Sequence, residues 1–539
     1  MYLKRHRFRL SAFNYIDEYF FAVLLRLNNS KRDEIMQNSY VKKILDAKVY
    51  DVAVETPLEK ASFLSERLNN TVLVKREDLQ PVFSFKIRGA YNRITRLSKK
   101  EREAGVIAAS AGNHAQGVAL SAAKLGIKAV IVMPSTTPGI KVESVRARGA
   151  EVVLHGDTFD EASKHARFLE KEHGYTFVHP YDEPDVIAGQ GTVGMEILRQ
   201  YSGHIDAIFV PVGGGGLIAG MAAYIKYLRP ETKVIGVESE ESACLKAAME
   251  AGERVVLPHV GIFADGIAVA QIGEETFRIC QQFVDKVVTV STDEICAAEK
   301  DIFTDCRAIS EPAGAASLAG LKKYVGQEDC TEKTFVAINS GANVNFDRLR
   351  HISERAEAGE KREAILAVTI PERPGSFKAF CLALNGHDIS EFNYRYADST
   401  DARIFVGVKL KDGDKDRKGL IECLKAKGYP VVDLSDNELA KLHIRHTVGG
   451  RAPELTNEIV FRFQFPERPG ALMRFLDRMQ DRWNCSLFHY RNHGAAFGRV
   501  MMGLQVDDSD RVAVKEFLDE LGYEYWEETD NPAYKLFLG

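Results

Sequence analysis

The chain has 539 residues, too many for one ordinary core, so roughly three or four domains are expected. Hydrophobic residues make up 45% and charged residues 27%, and no run of about 18 uncharged apolar residues offers a membrane span. Net charge is -5, with 71 basic residues scattered among 76 acidic ones and no basic stripe, which argues against nucleic acid and leaves small acidic or zwitterionic substrates open. The eight cysteines show neither a CxxC pair nor a disulfide-like spacing, as expected of free thiols in a reducing compartment, and the cytoplasm is the expected location.

The first residues set themselves apart. "MYLKRHRFRL" is basic, and the apolar "YFFAVLLRL" is broken by Arg26 with no small-residue cleavage site after it, so a signal peptide is poorly supported. Asp17 and Glu18 argue against a transit-like arm, and Met36 offers an alternative start; residues 1–38 are taken as an extension. From Thr71 to Asn345 short apolar runs alternate with amphipathic stretches such as Thr158 to His173. The runs are "TVLVKRE", "GVIAAS", "KAVIVMP", "AEVVLHG", "IDAIFVPVG", "KVIGVES", "DKVVTVS" and "TFVAINSG". This spacing predicts βαβ units, parallel sheets and helices on both faces. In such folds ligands bind at the C-terminal ends of strands, so the loops after these runs are the places to search.

Three segments meet that description or flank it. In "PVFSFKIRGAYN", Lys86 opens a predicted helix beside Phe83 and Phe85. A structural lysine favours the other end of a helix, where the dipole suits positive charge. Two readings are open: a surface lysine whose stem covers apolar neighbours, or a lysine kept partly neutral by desolvation and ready to form a Schiff base. "SAGNHAQG" (Ser110 to Gly117) and "GGGGLIAG" (Gly213 to Gly220) each follow a strand and open a helix. Glycine serves a tight turn, but one or two suffice for that; four in succession suit backbone N–H groups closing on an anion. No GxxxxGK[ST] is present, and Glu238 is the nearest acidic residue for a dinucleotide site. A cofactor with one phosphate and one carbonyl is the economical proposal, and pyridoxal phosphate has both.

Past Arg350 the pattern changes. "HISERAEAGEKREA" is charged and helical in character, and an internal repeat follows, "AVTIPERPGSFKAFCLAL" from Ala367 and "RFQFPERPGALMRFLDRM" from Arg462. Each copy reads strand, PERPG turn (371–375 and 466–470), helix, strand, which predicts two similar α+β modules with antiparallel sheets. An effector-binding unit and an oligomer interface are both open readings of the pair.

"SFKIRGA", "SAGNHAQG", "PVGGGGL" and "NSGAN", in that order, resemble the pyridoxal-phosphate enzymes of the tryptophan-synthase-β group (fold type II). From about Tyr40 to Gly539 the chain resembles the long biosynthetic threonine dehydratases (threonine ammonia-lyases), which carry two ACT-like domains. The fold class implied is α/β, with two αβα subdomains built on parallel sheets (39–350), a linker (351–362) and ACT-like domains at 363–450 and 451–539. The resemblance makes Lys86 the Schiff-base lysine beside Phe85 and Gly213, Gly214, Gly215, Gly216 and Leu217 the phosphate cradle. It pairs Asn113 with the cofactor's phenolic oxygen and Ser340 with its pyridine nitrogen. Ser110, Ala111, Gly112, Asn113 and His114 would take the substrate carboxylate.

The implied reaction is conversion of L-threonine to 2-oxobutanoate and ammonia, with L-serine a weaker substrate, as the first committed step of isoleucine biosynthesis. Isoleucine inhibits and valine opposes it through Phe377, Tyr394 and Tyr490, whose other reading is core packing. A homotetramer is implied as well. Ala111 stands where related racemases carry a second serine as base, so elimination without racemisation is expected. His114 reads as a positioning group or a catalytic acid, and Glu311 as a group at the cofactor edge or a helix-start carboxylate before Pro312. Glu238 is a candidate for a cation site known in relatives; no metal ligand is assigned. The alternatives are another eliminating or replacing enzyme of the group, such as serine dehydratase, cystathionine β-synthase or threonine synthase, and a catalytically dead amino-acid sensor.

Overall fold

The computed structural model describes residues 39–539 except 397–399, 443, 448–449, 453–454, 456, 467–470, 480–481, 492–496 and 539. The extension 1–38 and most of the second PERPG turn therefore lie outside the described residues. Two compact units divide between Ala356 and Glu357. Among the described residues no helix is long and apolar enough to cross a membrane.

The first unit is built on strands β1 (Leu58–Lys60), β2 (Thr71–Arg76), β3 (Val106–Ala109), β4 (Ala129–Met133), β5 (Glu151–Leu154) and β6 (Thr176–Phe177). To these it adds β7 (Ala207–Pro211), β8 (Lys233–Ser239), β9 (Lys286–Val290) and β10 (Thr334–Asn339). All eight apolar runs of the sequence are strands; the short β1 and β6 lack such a run. They form two sheets, ordered β1-β2-β10-β7-β8-β9 and β5-β4-β3-β6, and every pairing is parallel except β1 with β2. Central strands such as β7 and β3 are buried along their whole length, which is why they read as continuous apolar runs without alternation.

Four helices position the site: α1 (Lys86–Thr95), α2 (Asn113–Lys124), α3 (Pro184–Gln200) and α4 (Gly216–Leu228). α1 and α3 cross at Gly189, where an added Cβ would lie 2.5 Å from the Arg88 carbonyl oxygen. Beneath this crossing a fully buried ion cluster ties α1 to α3 and β2. Arg88 donates through Nε and Nη2 to Glu77 (2.7 and 2.8 Å) and through Nη1 and Nη2 to Glu196 (2.6 and 2.9 Å). Lys75 Nζ completes the pairing at 2.6 Å from Glu196, and all four side chains have zero exposure. Burial pushes the Glu77 carboxyl up, but Arg88 outweighs it and the net direction is down, so the Glu77 carboxylate can stay ionised.

The second unit begins within a helix, α5 (Arg348–Gly359), where the sequence shows its charged linker. It contains β11 (Glu363–Pro371), β12 (Ile389–Arg395), β13 (Asp401–Lys409), β14 (Val431–Asp433), β15 (Glu458–Pro466), β16 (Asn484–Arg491), β17 (Phe497–Gln505) and β18 (Glu524–Glu527). The two repeats share one eight-stranded antiparallel sheet, ordered β14-β11-β13-β12-β16-β17-β15-β18. β12 and β16 meet at the centre with Phe392 opposite Tyr490 and Tyr394 opposite Phe488, so the modules are related by a local two-fold relation about Asn393 and His489. Each thereby covers the other's exposed edge strand.

Removing the guanidinium from the ion cluster leaves two carboxylates buried with only Lys75 to share. Arg88→Met is expected to destabilise the first unit by about 3–5 kcal/mol, measured as a lowered urea midpoint; an unchanged midpoint would contradict the cluster's role.

Candidate active site

Lys86 is the first residue of α1, with Phe85 as its N-cap. Its Nζ donates to the Pro180 carbonyl oxygen at 2.9 Å and lies 5.2 Å from the Phe85 ring centroid and 6.0 Å from that of Tyr181. Burial brings the amine down to about 8, against a smaller upward pull from Glu311. The helix start adds a positive dipole end where the lysine would be charged. Pro180 and Tyr181 belong to "HPYDEP" (179–184), which the sequence reading passed over. It follows β6, so the rule that sites gather at the C-terminal ends of strands was the available signal.

The four glycines follow β7 and lead into α4. A Cβ on Gly214 would lie 2.2 Å from Tyr181 Cδ1, and Gly215 has φ +91°. The carbonyl of Gly214 accepts from Thr276 Oγ1 at 2.7 Å and from the Gly273 N–H at 3.3 Å, while none of the N–H groups from Gly213 to Leu217 has an acceptor among the described residues. Asp182 fixes the neighbouring wall by accepting from the N–H groups of Glu274 and Glu275 at 2.8 and 2.9 Å. A loop held by its carbonyls and open at its amides, on the positive end of a helix, fits a phosphate. With Lys86 opposite an aldehyde, the donor set fits pyridoxal phosphate.

Ser110, Ala111 and Gly112 follow β3, and Asn113 begins α2. The N–H groups of Ala111, Asn113 and His114 have no acceptor among the described residues, whereas that of Gly112 donates to Ser110 Oγ at 3.3 Å. Asn113 Nδ2 donates to Glu311 Oε1 at 2.6 Å. His114 Nε2 is 2.8 Å from the Val178 carbonyl oxygen, which makes that nitrogen the N–H donor and leaves Nδ1 a lone pair. Burial and then Lys86 bring His114 down to about 3, which favours the neutral ring and with it the positioning reading.

Ser340 follows β10, is 3% exposed and has its Oγ 3.4 Å from the Ala313 carbonyl oxygen, a weak contact that leaves the hydroxyl free to turn. Its carbonyl accepts from the Phe85 N–H at 3.3 Å, which ties the Ser340 loop to the Lys86 loop. Glu311, read above as a group at the cofactor edge or a helix-start carboxylate, is the N-cap residue of a helix (Pro312–Glu328) and is buried beside Asn113 and Gly341, and burial followed by Asp265 pushes it up to about 7. Glu238 accepts instead from the N–H groups of Leu245 and Lys246 at 2.8 and 2.9 Å, capping a helix (Cys244–Ala251). No group of three His, Cys, Asp or Glu able to hold a metal is found among the described residues.

In the second unit a cleft of about 460 Å³ contains Phe377, Tyr394, Glu372, Arg373, Lys378 and Trp483 in its lining. The Tyr394 hydroxyl donates to Glu372, and the buried Trp483 N–H has no partner among the described residues. Tyr490 lies outside this lining, at the position in the second repeat that matches Tyr394.

A lysine with lowered proton affinity on one helix start and a glycine loop with open amides on another, joined through Pro180 and Tyr181 at the C-terminal ends of parallel strands, fit a pyridoxal-phosphate enzyme of fold type II. The family model for pyridoxal-phosphate dependent enzymes matches residues 49–341, and that for the C-terminal regulatory domain of threonine dehydratase matches 354–444 and again 449–538. The biosynthetic L-threonine dehydratase IlvA of Escherichia coli (strain K12) is 54% identical over 499 residues, 93% of this chain and 97% of that protein. The mitochondrial threonine dehydratase of Saccharomyces cerevisiae is 50% identical over 533 residues, 96% of this chain and 92% of that one. Among solved structures, the processed form of threonine deaminase isoform 2 from Solanum lycopersicum matches with a TM-score of 0.59 and 50% identity, over 60% of this chain and 93% of that one. The chain belongs to the threonine dehydratase family.

An amine is nucleophilic only when neutral, and burial brings Lys86 down to about 8 from the ordinary lysine value of 10.5. The rate at which cofactor-free protein captures pyridoxal phosphate, followed by stopped-flow absorbance, is expected to rise with pH and level off just above 8. A rate that keeps climbing into the ordinary lysine range would show that burial does not neutralise the amine.

Proposed function

We propose that the first unit converts L-threonine to 2-oxobutanoate and ammonia, and L-serine to pyruvate less readily, as the committed step toward isoleucine. The observation that carries this is a half-buried lysine amine, with burial lowering its proton affinity, held across from an anion cradle in a chain of this family. Pyridoxal phosphate supplies the aldehyde that captures the substrate amine and the conjugated ring that accepts the electron pair left by the α-proton.

The protein's share is positioning and proton transfer. Lys86 would hold the cofactor's aldehyde between turnovers, and its amine would take the substrate's α-proton as general base. The N–H groups of Ala111, Asn113 and His114 at the start of α2 receive the substrate carboxylate. Ser340 offers a neutral hydroxyl to the pyridine nitrogen, which keeps that ring a mild electron sink and suits elimination over transamination. Ala111 provides no base on the opposite face. The β-hydroxyl departs with a proton as water, and the released enamine takes water back to give the keto acid and ammonia. One methyl group separates serine from threonine and discriminates by roughly 1–3 kcal/mol.

The catalytic share is assigned to residues 39–350 and the regulatory share to 363–450 and 451–539, joined by 351–362. Isoleucine inhibits and valine opposes it at the cleft of Phe377 and Tyr394, with Tyr490 at the matching place in the other module. Glu372, Arg373 and Lys378 bring both signs of charge to that cleft, as a zwitterionic effector requires. A cytoplasmic homotetramer is the assembly implied, and sedimentation checks it.

Keto-acid formation from threonine and serine, with and without isoleucine, tests the reading: 2-oxobutanoate is expected, suppressed by isoleucine. No keto acid from either substrate would sink it. Tyr394→Ala is expected to raise the isoleucine concentration for half-inhibition by about tenfold or more while the uninhibited turnover stays near that of the parent.

A further inference from the structure

Asn113 has little freedom to choose which end of its amide faces which way. Asn343 Nδ2 donates to the Val82 carbonyl oxygen at 2.8 Å, and a carbonyl only accepts, so the orientation of Asn343 is fixed. The same Nδ2 donates to Asn113 Oδ1 at 2.5 Å, while Asn343 Oδ1 accepts from Gln116 Nε2 at 3.0 Å. At the other end Asn113 Nδ2 donates to the Glu311 carboxyl at 2.6 Å. The Val82 carbonyl, which only accepts, fixes Asn343, whose Nδ2 takes the oxygen of Asn113 and thereby turns the Asn113 amino group toward Glu311. One N–H of that amino group is left over.

Glu311 is closely fitted for this. It is 3% exposed, it also accepts from the backbone N–H of Asn343, and a Cβ on Gly341 would lie 2.6 Å from its Oε1. Two N–H groups thus converge on one carboxyl. An ionised carboxyl offers two acceptor oxygens to them; an amide of the same size offers one and turns a donor toward the other.

We infer that Glu311 is a positioning residue: through the chain Glu311, Asn113, Asn343 and Gln116 it locks the Asn113 amide so that the remaining N–H is presented to the phenolic oxygen of the bound cofactor. This rests on the reading of Asn113 as the cofactor's partner. The role differs from filling space, since an isosteric amide fills the same space and breaks the lock.

The test measures pyridoxal phosphate affinity of the cofactor-free protein by fluorescence titration and the absorbance maximum of the loaded protein, for Glu311→Gln, Asn113→Ala and the double variant. Each single change is expected to weaken cofactor binding about tenfold or more and to shift the absorbance band. The double variant is expected to be no worse than Asn113→Ala, because both remove the same contact. If Asn113→Ala weakens binding and Glu311→Gln leaves affinity and band as in the parent, the inference fails and the reading of Asn113 stands. If Asn113→Ala itself changes neither, both fail. Should Glu311→Gln not fold, Asn343→Asp removes the donor at the other end and is judged by the same two measurements.

Discussion

The ion cluster around Arg88 is the constraint on which the site depends. Arg88 stands two residues after Lys86 on the same short helix, and its guanidinium reaches Glu77 after β2 and Glu196 on α3 with zero exposure on all three. A surface ion pair would leave α1 free to drift, since such pairs contribute roughly 0–1 kcal/mol and exchange with water. Here every oxygen of both carboxylates is engaged, so α1 cannot rotate or slide without stranding a charge in the interior. The cluster is a weak source of net stability and a strong source of uniqueness, which the base role proposed for Lys86 would require.

The same fold uses helix starts in two opposite ways. At α4 the unpaired amides of Gly213 to Leu217 offer a positive pole to an anion, with glycine because Tyr181 leaves no room for a side chain. At α1 a cation occupies the position where the dipole opposes it, and burial beside Phe85 adds to the penalty. Half of the lysines would be neutral near pH 8, which suits the nucleophile and base proposed for this position. The loop 179–184 links the two starts: Pro180 accepts from Lys86, Tyr181 closes over Gly214, and Asp182 caps the helix beside the cradle.

Much of this was legible in the sequence because it is local. The eight apolar runs, the strand-to-glycine-to-helix loops and the lysine set against the dipole are all patterns within a dozen residues. Glu311 and Asn343 were not legible in the same way. Their roles depend on a helix start before β10 and the loop after it both meeting α2 across some two hundred positions, and neither residue has a local signature that separates it from a helix-start acid or a turn asparagine. "HPYDEP" was hidden by β6, whose two residues are too short to register as a run. The repeat announced two like modules, but their fusion into one sheet lies in the pairing of β12 with β16, which no periodicity within either copy encodes.

That pairing also bears on regulation. A local two-fold relation through Asn393 and His489 sets the cleft of the first module against the strand of the second, with Phe377 touching both Phe392 and Phe488 at ring centroid distances of 4.5 and 4.9 Å. A ligand that wedges against Phe377 thus presses on aromatic rings from both repeats at once. Packed cores respond to such pressure by switching between discrete arrangements, because close-packed rings deform little. Two ligands of different size offered to this sheet can therefore favour different arrangements of the same strands, and opposition between them needs only that each bind one arrangement better than the other.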